Sequence, residues 1–337
     1  MSIAIRPLEL PAALDEVAAF HNANRSAPAP PRRFAWAYLE NPDGMARGWG
    51  AYENDALVGI GMVFPRTIRL AGGRRVRAWT PGDLSVAATH RRRGIASRLR
   101  AATRDAVDAG EAALLFSIPN PQAAKVHDKV GLEQLGPMKR LVRPLAVPRP
   151  RVLRELTRRP VQWVIRGHAA RPLPSRVLSR GAEVDELEAL AGLYEQAVPT
   201  TRASVVRSAA YLRWRFLDNE RSPAQLLVAR AGAQVVGYAA LVDRGDSLYL
   251  RDWLVASSEL LPALVASVVE QANRTRKAWL SLSALEGHPD LAVLAQCGFR
   301  TRADATDVKV YVPAAAPAYG PLRQAAGWWL TGGDPDI

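Results

Sequence analysis

The stretch "DLSVAATHRRRGIASRLRAATRDAV", Asp83 to Val107, decides the fold of this chain. Its opening residues are apolar and read as a strand. A short polar turn follows, then Arg91-Arg92-Arg93-Gly94, then a helical pattern. A strand, a turn and a helix in that order bring backbone N–H groups and the positive end of a helix dipole to one point. Gly94 and Ala96 are small, so an anionic ligand reaches the backbone there. Arg91, Arg92 and Arg93 add side-chain charge around the same point.

In this frame Arg91-x-x-Gly94-x-Ala96, preceded by Leu84-Ser85-Val86, resembles the acyl-CoA signature of the GNAT N-acyltransferase superfamily, Gln/Arg-x-x-Gly-x-Gly/Ala after a strand. Further landmarks arrive in family order. "LLFSIPN", Leu114 to Asn120, resembles the next strand, and "NPQAAKVHDKVGLEQL", Asn120 to Leu135, the helix and turn after it. His127 stands where the family usually has Tyr. The resemblance covers roughly Ile3 to Leu145. It implies an α/β (α+β mixed sheet) fold, mostly antiparallel and flanked by helices.

The resemblance also implies a chemistry. An acyl thioester, acetyl-CoA or another acyl-CoA, passes its acyl group directly to an amine, with no metal. Arg91, Arg92, Arg93, Gly94, Ile95, Ala96 and Ser97 would hold the pyrophosphate. Free backbone N–H groups at Leu84, Ser85 and Val86, on a splayed strand, would polarise the carbonyl. Asn120 caps the helix after it and would steady the pantetheine arm. An alkyl amine has a pKa near ~10.4 and must lose a proton. Asp83 is the candidate base or water-holder, with Glu53 second. His127 would protonate the leaving thiolate. Phe34, Trp36, Tyr38 and Trp79 are candidates for an acceptor wall, although aromatics at such spacings commonly form core, and the breaker-rich loop Arg25 to Arg33 borders that side.

The remaining length holds a second copy. With 337 residues the chain suits two domains. "WAYLEN" at Trp36 matches "WRFLDN" at Trp214, and Gly59 matches Gly237, both 178 residues on (214 − 36 and 237 − 59). Asp83 matches Asp252 (252 − 83 = 169) and Gly131 matches Gly298 (298 − 131 = 167). The second copy has no Arg-x-x-Gly-x-Ala: after Val255 comes "ASSELLPALVASVV", with Glu259 where phosphate would lie. The expected organisation is therefore a catalytic GNAT domain at 1–145, an Arg/Pro-rich linker with a helix at 146–175, a degenerate GNAT-like domain at 176–313 and a tail at 314–337. Trp328 and Trp329 in the tail are expected to dock on a domain or to form a lid.

Composition narrows the function classes. The chain is 48% hydrophobic with a net charge of +13. A single Cys, Cys297, excludes a disulfide framework and a cysteine metal site. No apolar run approaches ~18 residues, so no transmembrane segment is expected, and without a signal pattern the reading is cytoplasmic. The charge permits nucleic acid, a membrane surface or anionic substrates, but no nucleic-acid module is present. Arg143 to Arg180 holds ten Arg and one acid, Glu155. It reads as a solvated connector, as a docking surface for an acidic partner or as a contact for a membrane surface. Three functions remain open. The chain acylates a small-molecule or peptide amine from acyl-CoA, acylates one from an acyl carrier protein thioester, or senses CoA without catalysis.

Overall fold

The computed structural model describes residues 3–146 and 170–334. Among these, strands from both halves of the chain form one mixed, mostly antiparallel sheet of fourteen strands, flanked by helices. The helix expected at 152–164 lies outside the described residues.

The first half starts with β1 (Ala4–Pro7), α1 (Leu14–Ala23), α2 (Pro31–Phe34) and a five-residue π-helical turn, Ala35–Leu39. Asp15 and Glu16 in the first turn of α1 and His21 in its last suit the helix dipole. The meander β2 (Arg47–Glu53), β3 (Ala56–Arg69) and β4 (Arg75–Val86) follows. The β3–β4 hairpin turns at Gly72 and Gly73, both at positive φ (83° and 91°), where a side chain would be strained. Next come α3 (Ile95–Asp108), β5 (Leu115–Ser117), α4 (Pro121–Lys129) and β6 (Glu133–Pro144).

The second half runs through the same series. After β7 (Ser175–Leu178) come α5 (Val184–Ala197), β8 (Ala203–Val205), α6 (Ala209–Leu212) and a second π-helical turn, Arg213–Leu217. Strands β9 (Gln225–Ala231), β10 (Gln234–Arg244) and β11 (Ser247–Val255) precede α7 (Leu261–Arg274). Then come β12 (Trp279–Leu285), α8 (Leu291–Gln296) and β13 (Arg300–Tyr311), with β14 (Trp328–Trp329) in the tail.

One sheet per half is the sequence expectation; the structure fuses them. β6 does not return to its own half but pairs with β12, Leu141 opposite Leu282. β13 pairs in turn with β5, Val310 opposite Phe116. The exchanged strands also pair with each other, Met138 opposite Thr306. Each half thus lends its last long strand to the other. A strand's side-chain pattern specifies which face is buried, not which neighbour supplies the ladder, so the pattern alone permits either arrangement.

Three buried clusters result. One, around Ile95, Leu99, Trp79 and Leu132, lies under α3 and α4. A second, around Trp253, Leu264 and Leu282, lies under α7. The third spans both halves and holds Phe34, Trp36, Tyr38, Met138, Trp214, Phe216 and Trp328. Phe34, Trp36, Tyr38 and Trp79 are therefore core. The tail docks as expected: Trp328 and Trp329 are buried and pair with β8.

Candidate functional site

The site begins where two parallel strands part. β4 and β5 pair at a single position, Trp79 opposite Leu115. Beyond it β4 carries a bulge. Gly82 pairs with Met62 and Ser85 with Ile60, so Asp83 and Leu84 together face Gly61. Asp83 sits at φ 38°, in the left-handed region, which Asp tolerates better than most residues. The carbonyls on either side are tied down from α3: Arg100 donates to Met62 O (2.9 Å) and to Gly82 O (2.8 Å). Arg25, in the breaker-rich loop, donates to Leu84 O at 3.3 Å and brings that loop to the split.

Asp83 is surrounded by donors. Arg33 Nη1 lies 2.6 Å and the Tyr38 hydroxyl 2.9 Å from Oδ2, and His21 Nε2 lies 3.5 Å from Oδ1. Burial pushes the carboxyl up, but the His21 bond and the Arg33 guanidinium outweigh it and hold the group well below the usual carboxylate range. The base role expected of Asp83 does not suit this setting. A carboxylate that stable in its ionised form is a poor proton acceptor. Burial, and then the Asp83 charge, push the Tyr38 hydroxyl well up, so it remains a donor.

The turn after β4 is an open cradle of donors. Arg92 (φ 65°) and Gly94 (φ 76°) reverse the chain through left-handed conformations. The first helical bond of α3 runs from Arg98 N–H to Gly94 O, leaving the N–H groups ahead of it outside the helix ladder. No side chain caps this terminus. A Cβ built on Gly94 meets no atom within 4 Å, so the space over the turn is free. Ile95 points inward to the core, while Ala96 and Ser97 stay partly accessible.

Glu53, at the end of β2, is a clip for this turn rather than a base. Its carboxylate accepts from Arg93 (2.7 Å) and meets His90 Nε2 at 2.9 Å. The Arg93 bond, and then the His90 bond, bring its pKa down to about 2. Arg91 turns back to Val86 O at 3.3 Å. The charge on the turn is thus ordered in part by contacts that the sequence left unmarked.

Asn120 caps α4 through Oδ1, which accepts from the N–H groups of Gln122 (3.1 Å) and Ala123 (2.9 Å). Two turns of helix then place His127 inside the protein, at 1% exposure. Neither ring nitrogen has a hydrogen-bond partner among the described residues. Burial, reinforced by the nearby Arg100 charge, lowers its pKa to about 3. The imidazole is therefore neutral near pH 7, with one N–H still to donate. Arg100 carries no signature of its own in the sequence. The one hint is an arginine at the helical spacing of Ile95, Leu99 and Thr103, all inward-facing.

The corresponding place in the second half is filled. β11 and β12 stay paired over four positions, Ser247–Leu250 with Trp279–Leu282. The rings of Trp253, His288 and Trp329 then pack against one another at tilted angles, with centroids 5.4 Å and 5.0 Å apart. The turn after β11 has Ser257 and Glu259 where the first half has arginines, and Pro262 removes one N–H from the start of α7. Among the described residues there is no cluster of three metal-ligating side chains, and no helix is long and apolar enough to cross a membrane.

Comparison with known proteins agrees with this geometry. The sequence model of the acetyltransferase (GNAT) domain matches residues 5–133. No curated protein matches the chain. Among solved structures, a conserved protein of unknown function from Enterococcus faecalis V583 superposes with a TM-score of 0.69 at 12% identity, covering 93% of this chain and 73% of that one. A GCN5-related N-acetyltransferase from Anabaena variabilis gives 0.68 at 13% identity, covering 94% and 74%. Eis1 from Mycobacterium abscessus gives 0.63 at 15% identity, covering 96% and 76%. These identities speak for a shared fold. With the family match over the bulged strand, the open turn and α4, the conclusion is that this chain carries a GNAT acetyltransferase domain over residues 5–133.

Proposed function

We propose that the first half moves an acyl group from acyl-CoA to a primary amine. One observation carries the reading: an uncapped donor turn at Gly94, open above, lies beside a strand pair that parts at a bulge. The turn fits the diphosphate of CoA, with Arg91, Arg92 and Arg93 supplying counter-charge and Ala96 and Ser97 the next N–H groups. The parting strands fit the pantetheine arm, with Asn120 at its far wall. Backbone N–H groups of Leu84 to Val86 are the proposed donors to the thioester oxygen.

In the transfer, the amine nitrogen forms a bond to the acyl carbon as the carbon–sulfur bond breaks. The amine loses one proton and the sulfur gains one. Neutral His127 is the proposed hydrogen-bond donor to the departing sulfur, and the Arg100 charge beside it favours the thiolate until solvent, which takes the amine proton, returns one to the sulfur. Asp83 holds the bulge, through Arg33 and Tyr38, rather than taking the proton. The second half, its own split filled by Trp253, walls the acceptor side.

Calorimetry with CoA on the full chain tests the binding half of this reading. One CoA per chain is expected, and none for Gly94→Glu, which puts bulk and negative charge over the turn. Two per chain, or unchanged affinity in that variant, removes the assignment. Released thiol across a panel of amines then tests the transfer.

A further inference from the structure

The face of the sheet that carries both π-helical turns holds a cavity of about 450 Å3 over β13, β6, β12 and β11. Five arginines line it: Arg140, Arg215, Arg221, Arg244 and Arg251. The lining has one carboxylate, Asp304, and Arg140 Nη1 already bonds it at 2.5 Å. Arg221 and Arg244 have no acidic partner among the described residues, and Arg244 instead lies over the Tyr249 ring, 3.9 Å from its centroid. Arg215 is 2% exposed, donates from Nε to Gly333 O at 2.8 Å, and has no ion pair among the described residues. A buried guanidinium without a counter-charge is costly. Arg215 is such a group, and with the exposed Arg221 and Arg244 it leaves the lining positively charged beside walls of low polarity such as Met138 and Tyr249. Such a concavity concentrates field and attracts anions.

The cavity also touches the split. Ile118, directly after β5, forms part of its wall. Met138 belongs to the core cluster of Trp36 and Trp214, whereas α3 and its turn sit on the cluster of Ile95 and Leu99. The arginines thus face the side of the sheet opposite the α3 core. Resting on the acyl-transfer reading above, we infer that this cavity takes the acceptor and that the acceptor is a small amine bearing a phosphate or carboxylate. Its anion lies among Arg215, Arg221 and Arg244, and its amine points to Ile118.

Matched acceptors test this: ethanolamine against phosphoethanolamine, and glucosamine against glucosamine 6-phosphate, with thiol release as readout. The phosphorylated member should be preferred by about tenfold or more in kcat/KM, the scale of one charge-assisted bond. Arg221→Ser with Arg244→Ser should raise KM for that member by about tenfold or more, with KM for acetyl-CoA within about twofold. Equal use of both members, or a loss that falls on acetyl-CoA instead, overturns the proposal. Calorimetry with phosphoethanolamine separates the two readings when no amine is turned over. Binding by the parent chain that is lost in the double variant keeps the anion site and removes acyl transfer. No binding at millimolar concentration removes the anion site itself.

Discussion

Trp36 and Trp214 each donate their indole N–H to the other's backbone carbonyl, Trp36 Nε1 to Trp214 O at 2.9 Å and Trp214 Nε1 to Trp36 O at 2.8 Å. Their rings stack with centroids 5.0 Å apart. Both residues are second in a π-helical turn. The carbonyl before each one takes that turn's closing bond, Glu40 N–H to Ala35 O and Asp218 N–H to Arg213 O. The next carbonyl would be an orphan of the helix end, and the indole of the opposite half satisfies it.

Trp36→Phe and Trp214→Phe should each leave one buried carbonyl unpaired and cost about 1–3 kcal/mol. Because the rings share one contact, the double variant should cost less than the sum, with a coupling of about 0.5–3 kcal/mol. Urea unfolding of the four chains measures this. Strict additivity would mean that the pair does not join the halves.

Gly94→Ala separates backbone strain from ligand contact. The residue has room for a methyl group but sits at φ 76°. The substitution should lower stability by about 1 kcal/mol or more and also weaken CoA, since the turn relaxes away from its donor geometry. A thermal melt with and without CoA reads both effects. An unchanged melting temperature would show that the left-handed turn is not required.

His127 should titrate far below an ordinary histidine. Its folded pKa, about 3, lies below the unfolded value, so its neutral form is the one the fold prefers. That contribution is complete above about pH 6.5 and is lost as pH falls from there towards 3, at about 1.4 kcal/mol per pH unit. His127→Phe should flatten that part of the stability curve. Arg100→Met removes the positive neighbour and should raise the imidazole pKa, which an NMR titration of the ring protons reads directly. If the neutral ring donates, kcat should show no fall near pH 6.5; such a fall, absent in His127→Phe, would make imidazolium the acid.

Arg207 is fully buried between two carboxylates, 3.0 Å from Asp252 Oδ1 and 2.6 Å from Asp334 Oδ1. Asp252 also accepts from the hydroxyls of Tyr238 and Thr331, both at 2.6 Å. Arg207→Met should leave both acids uncompensated and cost about 3–5 kcal/mol. Because Asp334 lies in the tail, limited proteolysis should cut there first. A tail that stays protected would place its anchorage in Trp328 and Trp329 alone.

Much of the candidate site was legible before the fold was known, for local reasons. A turn that binds anions needs small residues, positive φ and a helix start within a few positions, and all of these lie between Arg91 and Ser97. Asn120 at the start of α4 is equally local. The roles of side chains were less legible. Asp83 stands where a base is expected, yet its proton affinity depends on Arg33, Tyr38 and His21, the closest of them 45 positions away. His127 likewise follows from the helix pattern, while its neutrality comes from burial beside Arg100.

The sequence by itself determined the order of elements, the repeat between the halves and the Arg91–Ser97 turn that has no counterpart after Val255, because each is written in short-range spacing. Only the tertiary structure decided the exchange of β6 and β13, the filling of the second split by Trp253, and the gathering of five arginines over the centre of the sheet. Arg140 and Arg251 are 111 residues apart (251 − 140) yet line one cavity, since the strands that carry them belong to different repeats. Strand pairing reads backbone groups that every residue shares, so neighbours at that range are chosen by how the two halves close on each other, not by any local pattern.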